Sequence, residues 1–214
     1  LARAARDDIE PGHYLVLDNP RGTLTGFVFV TDPILGVLDG PTGLIRFTYA
    51  VGINGDDVEQ MLSWDPLKFV AFVGDRVPLG LSFTDRDPIS VDPQDRALLE
   101  EAVGSEGSSI GAMHARYLEV DAEGRVDLDP AAARALLRAA RHRLLHGRSF
   151  ALLNGETWLL LNPHEATTEC ASDHIVVTAT AEFAHELLAT FDAVPGLYRL
   201  RTAPLEFRVV DPTT

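Results

Sequence analysis

The 214-residue, 23.3 kDa chain is 46% hydrophobic and 23% charged, with a mean hydropathy of +0.04. That is the mixture of one medium domain or two small lobes, and no apolar run approaches the ~20 residues of a bilayer-spanning helix. Eighteen Lys+Arg against 32 Asp+Glu give a formal charge of −14 at pH 7, which disfavours nucleic-acid binding and an anionic membrane surface and leaves a basic protein partner as the charge-compatible one.

Leu1–Glu10 is charged and lacks an apolar segment, so no secretory signal is expected. The chain opens on Leu1 rather than Met, as a processed or trimmed piece of something longer would. Strands are expected at Tyr14–Leu17, Phe27–Val30 and Leu44–Val51, punctuated by Asn19–Pro20, Asp32–Pro33 and Asp39–Gly40–Pro41. A helix should start after Asn54–Gly55, with Asp56 and Glu59 as an Asp variant of the capping box, and end at Asp65–Pro66. Phe69–Val73 and Val77–Phe83 look like a strand pair. Asp92–Pro93 is a cap-plus-proline helix start, with Ala97, Leu98 and Val103 facing inward.

Gly104–Ser109 should break that helix and mark the boundary between two lobes, 1–103 and 104–214. Beyond it come a strand near Ala112–Val120, a turn at Ala122–Gly124 and a strand at Arg125–Leu128. Asp129–Pro130 starts the longest helix, Ala131 to about Leu145. Ser149–Leu153 and Thr157–Leu161 form a hairpin around Asn154–Gly155. A strand at Ile175–Thr178, a helix at Ala181–Phe191 with Phe183, Leu187 and Leu188 inward, and a strand at Leu205–Val210 complete a mixed α+β chain.

Three places could hold chemistry. His164–His174 gathers His164, Glu165, Glu169, Cys170, Asp173 and His174, but the spacing matches no zinc ribbon or finger, and a polar loop with a half-buried cysteine is the expected outcome. Cys170 is the sole cysteine, which closes no intrachain disulfide and fits a reducing, cytoplasmic compartment. The Gly104–Ser109 loop lacks a P-loop lysine, and Glu106 would repel an anion. Arg134, Arg138 and Arg141 form a basic stripe on one helix face, expected to be solvated or to dock an acidic segment. No cofactor or metal is expected.

Arg143–Leu144–Leu145–His146–Gly147–Arg148 followed by Phe150 resembles the R-L-L-H-G-R-x-F segment of the suppressor of fused family. Asp92–Pro93, a helix, then Glu106–Gly107–Ser108 resembles that family's D-P…D-G-S stretch, and Ser109–Arg116, Gly12–Pro20 and Pro41–Ile53 are similar more loosely. The resemblance implies two lobes, each a mixed sheet with packed helices, the first beginning further upstream in the family. It also implies a non-enzymatic protein-binding role. The family's animal member grips an extended peptide partly by strand addition, and bacterial members serve as immunity proteins against polymorphic toxins. His146 and Arg148 map onto the shared motif. The acidic residue that the animal protein carries before its helix falls at Ala131, with Asp127 and Asp129 nearby, so these four are the partner-binding candidates. Their structural alternative is that His146 and Gly147 end the helix and Arg148 satisfies its last carbonyls.

The leading expectation is therefore an immunity protein that binds a basic toxin domain. The alternatives are a small hydrolase or metal-dependent enzyme using the His164–His174 loop, and a structural or assembly protein.

Overall fold

The computed structural model describes residues 9–17, 22–41, 43–77 and 87–211. The backbone divides into two compact units, Leu1–Val103 and Gly104–Thr214. The fold is α+β, and among the described residues no helix is long and apolar enough to cross a membrane.

In the first unit β1 (Tyr14–Val16), β2 (Leu24–Thr31) and β5 (Thr48–Asn54) form an antiparallel sheet in the order β1-β2-β5. The expected strand Leu44–Val51 is split at Phe47. Its first half, β4 (Gly43–Arg46), pairs among the described residues only with β3 (Val37–Gly40), a strand the sequence did not announce. Every strand pairing in this unit is antiparallel among the described residues, so mixed sheets belong to the second unit alone.

Helix α1 (Asp57–Ser63) starts after Asn54–Gly55, but the Asp56 side chain makes no cap. The neighbouring Asp57 is the engaged carboxylate. Fully buried, it accepts from the backbone N–H groups of Ile89 (2.8 Å) and Ser90 (3.1 Å) and from the Ser90 hydroxyl (3.1 Å). The expected strand Phe69–Val73 is instead the body of helix α2 (Pro66–Gly74). Asp65 accepts from the Lys68 N–H at 2.9 Å and Pro66 occupies the first turn, so this dipeptide starts a helix as well as ending one. Pro66, Phe69 and Val73 then fall on one buried face at helical spacing. Of the expected strand Val77–Phe83, Val77 lies in a turn and the rest lies outside the described residues.

Helix α3 (Pro93–Glu106) starts where Asp92 accepts from Gln94 and Asp95. It buries Leu99 and Val103 while Leu98 is exposed, and it runs through Gly104 without a break. Its stop is Gly107, at φ +67°.

The second unit holds two mixed sheets. One orders β11 (Glu169–Cys170), β12 (His174–Thr178), β10 (Thr157–Asn162), β9 (Phe150–Asn154) and β6 (Ala112–His114). The other orders β13 (Gly196–Arg199), β14 (Glu206–Val209), β8 (Arg125–Leu128) and β7 (Leu118–Val120). The single strand expected over Ala112–Val120 is thus two strands that serve different sheets. Pairing is parallel for β6·β9, β10·β12 and β8·β14, and antiparallel elsewhere. The β9–β10 hairpin turns through Gly155–Glu156, one residue later than expected, because Asn154 is paired with Thr157.

Helix α4 (Pro130–His142) packs an alanine-rich face, Ala132, Ala133, Ala135, Leu136, Ala139 and Ala140, into the core beside α5 (Ala181–Thr190). Small side chains let it approach α5 and the sheets closely. Phe183, Leu187, Leu159, Leu161, Ile175, Val177 and Phe207 are fully buried in the same cluster. α4 ends three residues short of the expected Leu145. Arg143 leaves helical geometry, and Leu144–His146 form a separate 3-10 turn closed by Gly147 at φ +66°.

Candidate functional site

The two segments with the strongest motif character meet in the second unit. The Ser108 N–H donates to the last α4 carbonyl, that of His142, at 2.7 Å. The Ser108 carbonyl in turn accepts from Arg143 Nη1 at 2.7 Å and from Arg148 Nη1 at 3.2 Å. Arg143 Nε donates to the Ser149 carbonyl at 2.7 Å. Glu106–Gly107–Ser108 and Arg143–Arg148 therefore form one knuckle, held by two guanidinium groups that share one carbonyl.

The knuckle explains its own glycine. A Cβ on Gly107 would stand 2.5 Å from the His142 carbonyl oxygen and 2.9 Å from the His146 ring, at a φ that side chains seldom adopt. Neighbouring cations mark the crowding. His142 is pushed down to about 4 by burial and by Arg141, His146 and Arg138, and Arg143 is lowered by burial and by Arg148.

The four candidate residues have distinct surroundings. Asp129 is 2% exposed and caps α4. One carboxylate oxygen accepts from Ala131 (2.8 Å) and Ala132 (3.0 Å), and the other from the N–H groups of Arg116 and Tyr117, both at 3.0 Å. Asp127 sits on β8 in register with Arg208 on β14, and the two side chains form a two-point ion pair, with Arg208 Nε 3.0 Å from one Asp127 oxygen and Nη2 on the other. Asp127 and Asp129 thus serve different elements. His146 is half-buried against Gly107. Arg148 is exposed, and its side chain reaches Ser108, while its N–H takes the Arg143 carbonyl at 3.0 Å. Arg143, 9% exposed, is the member that sequence reasoning passed over. The signal was available: Arg143 follows the buried Ala139 and Ala140 by one helical turn and directly precedes Leu144, so it falls on the buried face at the helix end and needs acceptors there.

The His164–His174 stretch does not converge on a centre. His164 Nε2 lies 3.0 Å from the Gly147 carbonyl, and Glu165 takes the Asn162 amide. His174 stacks on Trp158 at 4.5 Å and pairs with Asp173 at 2.8 Å, which lowers the Asp173 carboxyl. Cys170 lies on β11, and burial followed by the Asp121 charge pushes its thiol up, away from the thiolate a nucleophile needs. Among the described residues no three His, Cys, Asp or Glu side chains are grouped to hold a metal.

The first unit carries an open groove of about 500 Å³, lined by Arg76, Val77, Asp87, Ile89, Asp92 and Asp95 among others. Its polar edge is already paired, with Arg76 Nε 2.6 Å from Asp95 and the guanidinium over the Phe72 ring.

No family model and no curated protein matches the chain. A solved structure does: the crystal structure of Drosophila Suppressor of Fused superimposes with a TM-score of 0.70 over 96% of this chain and 67% of that one, at 16% identity. The fold is that of suppressor of fused. At that identity the likeness is one of fold, and it extends over both units rather than the motif segments alone.

Proposed function

We propose that the chain is a non-enzymatic protein-binding module that serves as an immunity protein, neutralising a basic toxin domain of a bacterial polymorphic toxin system from within the cytoplasm. The observation that carries this reading is the suppressor-of-fused fold across 96% of the chain, taken together with the motif resemblance in Arg143–Arg148. The charge supports the sign of the partner. A nuclease-like toxin domain must be basic to hold phosphates, and a chain of −14 is attracted to that same surface. The side chains of Arg143, Arg148, Asp127 and Asp129 are engaged in hydrogen bonds and ion pairs within the chain, as suits a scaffold that presents a surface.

The test is association kinetics with the product of the adjacent toxin gene across a salt series. The expected result is a stoichiometric complex whose association rate falls steeply with salt, since steering is screened beyond ~8 Å at physiological ionic strength, while dissociation changes less. No complex with the neighbouring gene product, or an association rate independent of salt, overturns the reading.

A further inference from the structure

The β3–β4 hairpin carries a dense run of exposed apolar side chains. Ile34 (82% exposed), Leu35, Val37, Leu38, Leu44 (75%) and Ile45 (47%) put six of the fourteen exposed large hydrophobic side chains among the described residues into twelve residues. Both strands are exposed along almost their whole length, and among the described residues each pairs only with the other. A two-stranded ribbon with neither face packed is marginal by itself in water, and a concentrated apolar patch marks a contact surface.

We propose that this hairpin joins two copies of the chain, with β4 of each copy pairing antiparallel to β4 of the other around a two-fold axis at Ile45. The register supplies the argument. Val37, Leu38, Asp39 and Gly40 face Arg46, Ile45, Leu44 and Gly43, and the Phe47 N–H points inward to the Gly36 carbonyl. By alternation the Ile45 backbone also points inward, which leaves the N–H and C=O of Leu44 and Arg46 on the outer edge of β4. Centred on Ile45, Leu44 of one copy meets Arg46 of the other, and the two outward pairs close four backbone hydrogen bonds. Ile45 then faces the same residue of the second copy across a non-hydrogen-bonded site, where side chains come closest. Leu38 and Ile45 share one face, so the four-stranded ribbon carries an unbroken row of four apolar side chains on that face. Leu44 lies against the aliphatic stem of Arg46 on the other.

Charge selects a second copy as the occupant. Residues 33–46 carry one acid, Asp39, and one base, Arg46, and so are neutral in a chain of net −14, so two like-charged molecules meet where neither presents its acidic surface. The β3 edge is the poorer seam, because a two-fold pairing there would put Asp39 against an apolar strand.

A seam of two paired four-residue strands is small beside the ~1,200 Å² of stable interfaces, so weak, concentration-dependent association is expected. Sedimentation equilibrium of the 214-residue chain should show a concentration-dependent shift from 23.3 kDa to twice that mass. The apparent dissociation constant should fall several-fold between about 50 and 500 mM NaCl, because salt screens the repulsion between copies without weakening the apolar seam. Ile45→Lys should abolish the dimer and leave the urea midpoint unchanged. In a Cys170→Ser background, Ile45→Cys should oxidise to a covalent dimer much faster than Leu44→Cys, whose position faces Arg46 rather than itself. A chain that stays monomeric at every concentration and salt overturns the proposal. So does a dimer that survives Ile45→Lys, or cross-linking equal at positions 44 and 45. Capture of the hairpin only by a different protein also overturns it.

Discussion

Replacing Asp129 by alanine should destabilise the second unit by about 3 kcal/mol, several times less than a lost domain but well above a simple cap. The cap itself, with one oxygen on Ala131 and Ala132, is worth about 1 kcal/mol. Sequence alone supports that much. The second oxygen holds Arg116 and Tyr117, the segment that feeds β7. Two backbone donors losing a buried acceptor cost about 1–3 kcal/mol each, and the lower end applies because Arg116 is exposed and water can reach its N–H. Asp129→Asn keeps one carbonyl oxygen and presents an amide to the other pair of donors, so it should lose about half as much. Urea melts in a Trp64→Phe background, where Trp158 alone reports the second unit, measure both. A loss of about 1 kcal/mol or less for Asp129→Ala would show that the Arg116 and Tyr117 bonds contribute nothing, and would refute the four-donor account.

Gly107→Ala combines a positive φ with a 2.5 Å clash against the His142 carbonyl, so it should cost about 2–4 kcal/mol, read as a urea midpoint shift, whereas Gly104→Ala, which meets nothing within 4 Å inside α3, should be neutral or slightly stabilising. His142 has a folded-state pKa of about 4, below its ordinary 6.5, so the unfolded chain binds the extra proton between those values. Its contribution is therefore complete above pH 6.5 and lost as pH falls toward 4; half-exposure screens it to about 1–2 kcal/mol, and His142→Gln should flatten that part of the stability profile. The Cys170 thiol should react with a disulfide reagent at pH 7 more slowly than a free cysteine, and Cys170→Ser should leave partner binding intact in the same kinetic assay.

What the sequence disclosed depended on whether a signal was local and backed by burial. Asp92–Pro93 and Asp129–Pro130 announced α3 and α4 because a carboxylate cap and a first-turn proline act within one turn. The same signal stands at Asp65–Pro66, but the apolar run Phe69–Val73 behind it also reads as a strand, and only the spacing of Pro66, Phe69 and Val73 marks the helix. Gly104 misled because a single helical glycine costs only ~1 kcal/mol, which Leu99 and Val103 on the buried face offset. The stop came at Gly107, where the backbone must turn left-handed beside His142. β3 and β13 escaped notice because almost no residue in either is buried, so no alternation of apolar and polar residues marks them. The knuckle was half legible. Its motif residues were named, but that Ser108 links them, 35 residues from Arg143 and 40 from Arg148, is a property of the fold.

The charge is not spread evenly, and this sharpens the proposed role. Residues 1–103 hold 17 acidic and 8 basic side chains, a net of −9, while residues 104–214 hold 15 and 10, a net of −5. Within the second unit the stretch from Pro130 to Gly155 contains no carboxylate and five arginines. Arg143 and Arg148 are used inside the knuckle, but Arg134 and Arg141 are exposed on α4. His142 and Arg143 are depressed first by burial and then by that one-signed neighbourhood. If the chain takes the basic partner proposed above, the first unit attracts that partner more strongly than the second, and the Arg134 and Arg141 face of α4 repels it, because Coulomb attraction follows the local sign of charge and not the net charge alone.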